Sequence, residues 1–377
     1  MNKQKDVLDY TDAELQGMTT EKLKGLLEEA EYGKSLNNTQ QLAEKTLING
    51  LYGALANKYF PLFNEDMAAA ITGNGRYYIR LLANYIEDAL QGMHPSEKSY
   101  VIYGDTDSVY FQIEPFMEMY QKKNPDLSID EYVDWADQFE KKVIQPVIQK
   151  SIDDFADELN AYNRELIGAE REIISSDFMA ISKKMYFARV RDSEGTRYPA
   201  DDPDIKVMGL DIIKSSTPKW AKKYLKEAIP HILDKDENDL RNWLKSIKRE
   251  FVNTELNDIA AVGSANNLDY DLERDTVPIG SRAAIRHNIY IKENGLENLY
   301  APIQPGEKAK RLFLTTPNPF NSNIIAFTND TFVREIEKHN CVDYDTNFYK
   351  NFMKPLENMV NCLKYNLEKE TEELDDW

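Results

Sequence analysis

Ser99-Tyr-Val-Ile-Tyr-Gly-Asp-Thr-Asp-Ser-Val-Tyr-Phe-Gln-Ile113 contains two β-prone runs folded around a Gly-Asp-Thr-Asp tip that carries Asp105 and Asp107. Side chains two residues apart point the same way in an extended chain, so both carboxylates are expected to face one cation or two neighbouring cations. Two metals held by carboxylates suit phosphoryl transfer chemistry. The bland alternative is an ordinary Asp-rich turn. An EF-hand loop is excluded, because Val109 and Tyr110 stand where its third ligand and its glycine belong.

Upstream, Thr19 or Thr20 can cap a first helix carrying Leu23, Leu26, Leu27 and Ala30, with Gly33 as its expected end. A second helix is expected from Asn37 or Asn38. On it Lys45, Asn49 and Tyr52 fall at i, i+4 and i+7, while Ala43, Leu47, Leu51 and Ala54 make another stripe. This predicts one buried face and one polar face, the polar one able to meet a triphosphate and a base pair. A solvent-facing Lys and Asn beside a partly buried Tyr is the simpler alternative. Pro61 breaks the pattern, and Met67 to Leu90 reads as a long helix ending at Gly92.

Downstream, Ser128 to Tyr162 is acidic and helical in pattern. Glu172 to Ala180 and Lys184 to Val190 read as paired strands, with a turn at Asp192-Ser-Glu-Gly195 and a short strand at Ile205 to Met208. From Thr217 to Phe251 the pattern is helical, and it is mixed from Ile259 to Phe327. The expected fold class is therefore α+β, with a domain division near Ser215 to Pro218.

Composition narrows the function. With 377 residues, 42% of them hydrophobic, the chain can bury more than one core. No apolar run approaches the roughly 18 residues of a membrane span, and Met-Asn-Lys-Gln-Lys-Asp6 is no signal peptide. Two cysteines and four scattered histidines exclude a disulfide framework and argue against zinc, so a reduced cytoplasm is expected. A net charge of -19 argues against indiscriminate nucleic-acid binding. Basic islands at Lys183-Lys184, Lys219 to Lys226, Lys245 to Arg249 and Arg282 to His287 nevertheless allow a local DNA groove.

Three segments in order carry a family resemblance. Lys45-Thr-Leu-Ile-Asn49-Gly-Leu-Tyr52-Gly53 resembles the fingers motif of family B DNA polymerases, and Tyr103-Gly-Asp-Thr-Asp-Ser108 resembles their palm motif. Ser182-Lys-Lys-Met-Tyr186 resembles their Lys-Lys-x-Tyr element. Ile205-Lys-Val-Met-Gly-Leu210, Ser215-Ser-Thr-Pro-Lys219 and Lys354-Pro-Leu356 further resemble the palm-to-thumb passage and C-terminal region of T-even-type phage replicative polymerases.

The resemblance implies a partial right hand: residues 1–57 as the C-terminal half of helical fingers, 58–214 as a partial palm with an antiparallel sheet, and 215–377 as a mostly helical thumb with a C-terminal tail. It implies that Asp107 binds both of two Mg2+ ions and that Asp105 supports metal or primer-end binding. Lys45 binds the dNTP triphosphate, Asn49 and Tyr52 line the nascent base-pair pocket, and Gly53 permits close approach. Lys183, Lys184 and Tyr186 hold the primer-template DNA, with Met185 lacking a charge. Arg282, Arg286 and His287 are weaker phosphate contacts, with surface charge as their alternative. Leu374 and Trp377 are the expected docking residues for a sliding clamp, against the alternative of a frayed tail.

The family's Asp-x-x-Ser-Leu-Tyr-Pro motif, its exonuclease domain and the first fingers helix do not occur in this sequence. The expectation is therefore the C-terminal subunit of a split phage polymerase, active in the host cytoplasm with an N-terminal chain that brings the missing aspartate and exonuclease. An experimentally shortened chain is the competing explanation of that absence. The rival function is a non-catalytic DNA-binding or assembly subunit of polymerase shape.

Overall fold

A computed structural model describes residues 10–272 and 276–367. The expected α+β class holds: among the described residues, helices are interspersed with three antiparallel sheets. The chain divides into two compact units, residues 1–112 with 147–167, and residues 113–146 with 168–377.

In the first unit, α1 (Asp12–Gln16) precedes α2 (Thr20–Leu55), α3 (Glu65–Met93) and the hairpin β1 (Val101–Asp105) and β2 (Ser108–Phe111). Thr19 caps α2 through the Lys22 N–H at 3.4 Å. Gly33 does not end a helix as expected: α2 is one helix of 36 residues. A glycine costs a helix interior about 1 kcal/mol, and propagation of an established helix tolerates one such position. The expected buried face is also absent, since no residue of α2 is buried and Leu47 and Leu51 are 75% and 57% exposed.

α3 behaves as its pattern requires. Asn64 caps it, and Leu82, Ile86 and Leu90 make its buried stripe. It packs on β1 and β2, and it is tied to the later helix α6 (Gln145–Glu158) by aromatic contacts. The Tyr77 hydroxyl donates to Glu158 at 2.6 Å, the Tyr85 hydroxyl donates to Asp154, and Phe155 lies 5.0 Å from the Tyr78 ring.

The second unit opens with α4 (Glu114–Lys123) and α5 (Ile129–Phe139), the latter started by a Ser128–Glu131 capping box. Its main sheet places β4 (Met185–Ser193) between β3 (Ile173–Ser182) and β6 (Asp204–Met208), with β5 (Thr196–Arg197) on the end of β4. Arg171 ties Asp192 of β4 to Asp137 of α5. Buried charges need such partners.

Beyond the sheet come α7 (Lys219–Asp234), α8 (Glu237–Phe251), α9 (Leu256–Ile259), β7 (Ala261–Ser264), α10 (Ile279–Glu293), β8 (Lys308–Phe313), β9 (Ile324–Phe327), α11 (Val333–Glu337), α12 (Tyr344–Phe348) and α13 (Lys354–Val360). One core joins Phe187, Leu210 and Ile212 to Trp220, Leu225, Ile229, Phe251, Phe332 and Phe352. Packing therefore runs straight through the expected division at Ser215 to Pro218: Ile212 precedes it and Trp220 follows it in the same core. No helix among the described residues is long and apolar enough to cross a membrane.

Candidate functional site

Asp105 closes β1 and pairs with Ser108, leaving Thr106 and Asp107 at the hairpin tip. Thr106 has φ of 49°, an uncommon conformation for a β-branched residue. Its hydroxyl donates to the Asp105 carboxylate at 3.0 Å, and the Ser108 hydroxyl donates to the Asp105 carbonyl at 3.2 Å. Asp105 is half-buried and Asp107 exposed. Behind the tip, the Tyr103 and Tyr110 rings meet edge to face at 5.7 Å.

A side chain from α3 fixes the base of this hairpin. The Glu87 carboxylate accepts from the Val101 N–H and from the Ser99 hydroxyl, both at 2.8 Å, and from the Gln91 amide at 3.0 Å. Partial burial works to raise its pKa, but these hydrogen bonds outweigh that effect and hold it below the usual carboxylate range. Sequence gave no sign of this role, because the partners of Glu87 lie 12 and 14 residues away. The buried Tyr100 completes the anchor by donating its hydroxyl to the His94 carbonyl at 2.8 Å.

Lys45, Asn49, Tyr52 and Gly53 lie on α2 at the expected helical spacing, and all four are exposed. Tyr52 lines a cleft of about 400 Å³ with Ala56, Lys58, Phe63, Glu65 and Thr72, where the end of α2 meets the start of α3. The first unit thus contains both the residues expected to face a nucleotide and the two aspartates, joined through α3.

The second unit holds the basic candidates. Lys183 and Lys184 form the exposed two-residue tip between β3 and β4, closed by the Ser182–Met185 pair. Tyr186 is only 5% exposed, and its ring packs 5.3 Å from Phe178. It supports the turn from within the sheet rather than from the surface. On α10, Arg282 and Arg286 are half-buried, and Arg282 donates to the Asn323 side chain at 3.0 Å.

His287 departs from the expectation of a phosphate contact. It is 1% exposed, its ring sits 4.5 Å from Phe332, and burial pushes its pKa down to about 4. A neutral interior imidazole is no phosphate-binding cation. Leu374 and Trp377 lie outside the described residues.

Two aspartates offer hard oxygen donors of the kind that Mg2+ takes. Among the described residues, however, no group of three or more His, Cys, Asp or Glu side chains is gathered to hold a metal ion. The two carboxylates fit Mg2+ in kind, since that ion is commonly held by one or two carboxylates with water and substrate phosphates completing its shell.

The model of the DNA polymerase family B matches residues 19–125, the stretch from the N-cap of α2 through the hairpin and α4. The chain is 32% identical to the DNA-directed DNA polymerase of Enterobacteria phage T4, over 92% of this chain and 39% of that protein. It is 31% identical to the DNA-directed DNA polymerase of Escherichia phage RB69, over 97% of this chain and 41% of that one. A DNA polymerase of Pyramimonas orientalis virus is 25% identical over 60% of this chain. The chain spans about two fifths of the length of the two phage relatives. With both likenesses running along nearly all of its sequence, and with the family's segment falling on α2, α3 and the aspartate hairpin, this chain belongs to the family B DNA polymerases.

Proposed function

We propose that this chain supplies part of the synthetic centre of a phage DNA polymerase that adds deoxynucleotides to a primer 3'-end. The observation that carries the reading is the hairpin that bears Asp105 and Asp107 at its tip and is anchored at its base by Glu87, in the same unit as the Lys45 helix. Asp107 and Asp105 would hold Mg2+, which when bound neutralises charge on the triphosphate and the leaving pyrophosphate. Lys45 binds the triphosphate, Asn49 and Tyr52 face the nascent base pair with Gly53 beneath, and Lys183 and Lys184 grip the duplex backbone. Arg282 and Arg286 are secondary phosphate contacts.

The second half of the reading rests on the sequence, in which the family's Asp-x-x-Ser-Leu-Tyr-Pro motif does not occur. The further palm aspartate and the exonuclease come from an N-terminal chain, and synthesis starts once the two are joined in the host cytoplasm. Leu374 and Trp377 then dock the assembly on a sliding clamp; deleting the last ten residues is expected to abolish clamp-stimulated synthesis and leave basal synthesis intact. The rival reading is a non-catalytic DNA-binding or assembly subunit of polymerase shape.

Primer extension separates the two. This chain, the N-terminal chain and their mixture are each assayed with Mg2+ on primer-template DNA. Activity in the mixture alone, lost in Asp107→Ala, is expected. Undiminished synthesis by the Asp107→Ala mixture would falsify the catalytic role, and robust synthesis by this chain alone would remove the need for a partner.

A further inference from the structure

The tip between β3 and β4 has only two residues, and Lys184 occupies its second position with φ of +62°. Glycine or asparagine is the usual occupant of a turn position that demands φ > 0. A lysine there retains a long cationic side chain at the cost of backbone strain, so something outside the turn must hold the conformation.

That support is Gly209. Met208, the last residue of β6, pairs with Tyr186 of β4, and the next residue turns back under the tip with φ of +68°. A Cβ on Gly209 would stand 2.0 Å from the Lys184 carbonyl oxygen, 3.0 Å from its carbonyl carbon and 3.1 Å from the Met185 Cγ. Two left-handed residues from different parts of the chain are thus in backbone contact. Gly209 has little room to retreat: Met208 is held in the β4–β6 ladder, Leu210 is 1% exposed in the core, and the Asp211 carbonyl accepts from the Thr217 hydroxyl at 2.6 Å. A side chain at position 209 would therefore displace the turn and not the seat below it.

We propose that Gly209 is a positioning residue for duplex binding, the backbone seat that fixes the direction in which Lys183 and Lys184 leave the sheet. This rests on the reading that the two lysines contact the DNA backbone. It goes beyond that reading by assigning the precision of the contact to a residue that carries no side chain and touches no DNA.

The test is a double-mutant cycle on the full chain, read by fluorescence anisotropy on primer-template DNA across a salt series, with circular dichroism as the check on folding. Gly209→Ala is expected to weaken duplex binding about three- to tenfold and to flatten the salt dependence by about one to two counterions, since each phosphate contact contributes a slope of about -0.9. In a chain already carrying Lys183→Ala and Lys184→Ala, the same substitution is expected to change neither quantity, because Gly209 acts only through those lysines. Equal losses in both backgrounds overturn the proposal. If the two lysine substitutions themselves leave duplex binding unchanged, the DNA-grip reading fails first and takes this inference with it.

A second pair covers the case in which Gly209→Ala does not fold. Lys184→Gly and Lys184→Val remove the same charge and leave Gly209 intact, but only glycine adopts φ near +60° without strain. Lys184→Val is expected to bind duplex at least about threefold more weakly than Lys184→Gly, through the misdirected Lys183. Equal affinities mean that the turn conformation is irrelevant, and the proposal is overturned.

Discussion

The backbone N–H of Asp107 donates to the backbone carbonyl of Asp105 at 2.5 Å, closing a tight three-residue turn about Thr106. Turns of this kind with φ > 0 are rare and strained, and a β-branched residue is poorly suited to them. Strain held beside the two carboxylates proposed to bind metal is expected of a preorganised site. Thr106→Gly removes a steric cost of roughly 1 to 2 kcal/mol and returns part of it as lost chain stiffness. It also deletes the hydroxyl that orients the Asp105 carboxylate. The expected outcome is a melting temperature equal to or slightly above the parent's, with synthesis by the assembled enzyme reduced about tenfold. A variant as active as the parent would show that the strained tip does not position the carboxylates.

Glu87 provides the pH-dependent part of the hairpin. Its folded pKa is lowered, so its contribution is fully present above the unfolded carboxyl value near ~4.3 and is lost as pH falls through the depressed folded value. Glu87→Gln keeps the shape and loses the charge-assisted bonds to Val101 and Ser99. It is expected to destabilise the first unit by about 1 to 2 kcal/mol at pH 7, and the gap should close toward pH 3. Thermal melts of both proteins at the two pH values check this; a constant gap removes the carboxylate from the explanation.

The hairpin was legible because its signals are local: strand runs, turn residues and paired carboxylates all fall within Ser99 to Ile113. The anchor of that hairpin was not legible, because Glu87 and its partners are related only through the packing of α3 on β1. Gly33 and the Asn37-Asn38 pair suggested a break that cooperative helix formation carries α2 across. The stripe of Ala43, Leu47, Leu51 and Ala54 is apolar yet not buried, because apolar spacing does not reveal whether a covering element is present. The division at Ser215 to Pro218 rested on a change of pattern, whereas core membership joins residues on both sides of it.

Lys45 offers a clean separation of binding from stability. It stands exposed on a helix with no buried residue, and substitutions at such places usually change stability by no more than ~0.5 kcal/mol. A charge-assisted hydrogen bond to a phosphate is worth about 1.5 to 3 kcal/mol. Lys45→Ala is therefore expected to melt with the parent and to raise KM for the incoming nucleotide on the order of 10- to 100-fold in steady-state primer extension. An unchanged KM would take Lys45 off the triphosphate.

The fate of His287 follows from helix geometry. Arg282 and Arg286 are four residues apart and share a face of α10, while His287 is one residue, about 100°, further round. It joins Ala283 and Ile291 on a buried stripe with i, i+4 spacing, each no more than 1% exposed. Its folded pKa of about 4 lies below the ordinary value of 6.5, so the unfolded chain binds the extra proton throughout that window. Stability is then lost as pH falls from 6.5 to about 4, by an amount approaching about 3 kcal/mol. His287→Leu removes the titrating group and is expected to flatten the stability profile of the second unit over this range, while leaving the salt dependence of duplex binding unchanged. Urea unfolding at pH 7, 6, 5 and 4 measures the first effect and anisotropy on primer-template DNA the second. A profile as steep as the parent's would place the acid sensitivity on another group, and a reduced salt slope would return His287 to the phosphate contacts.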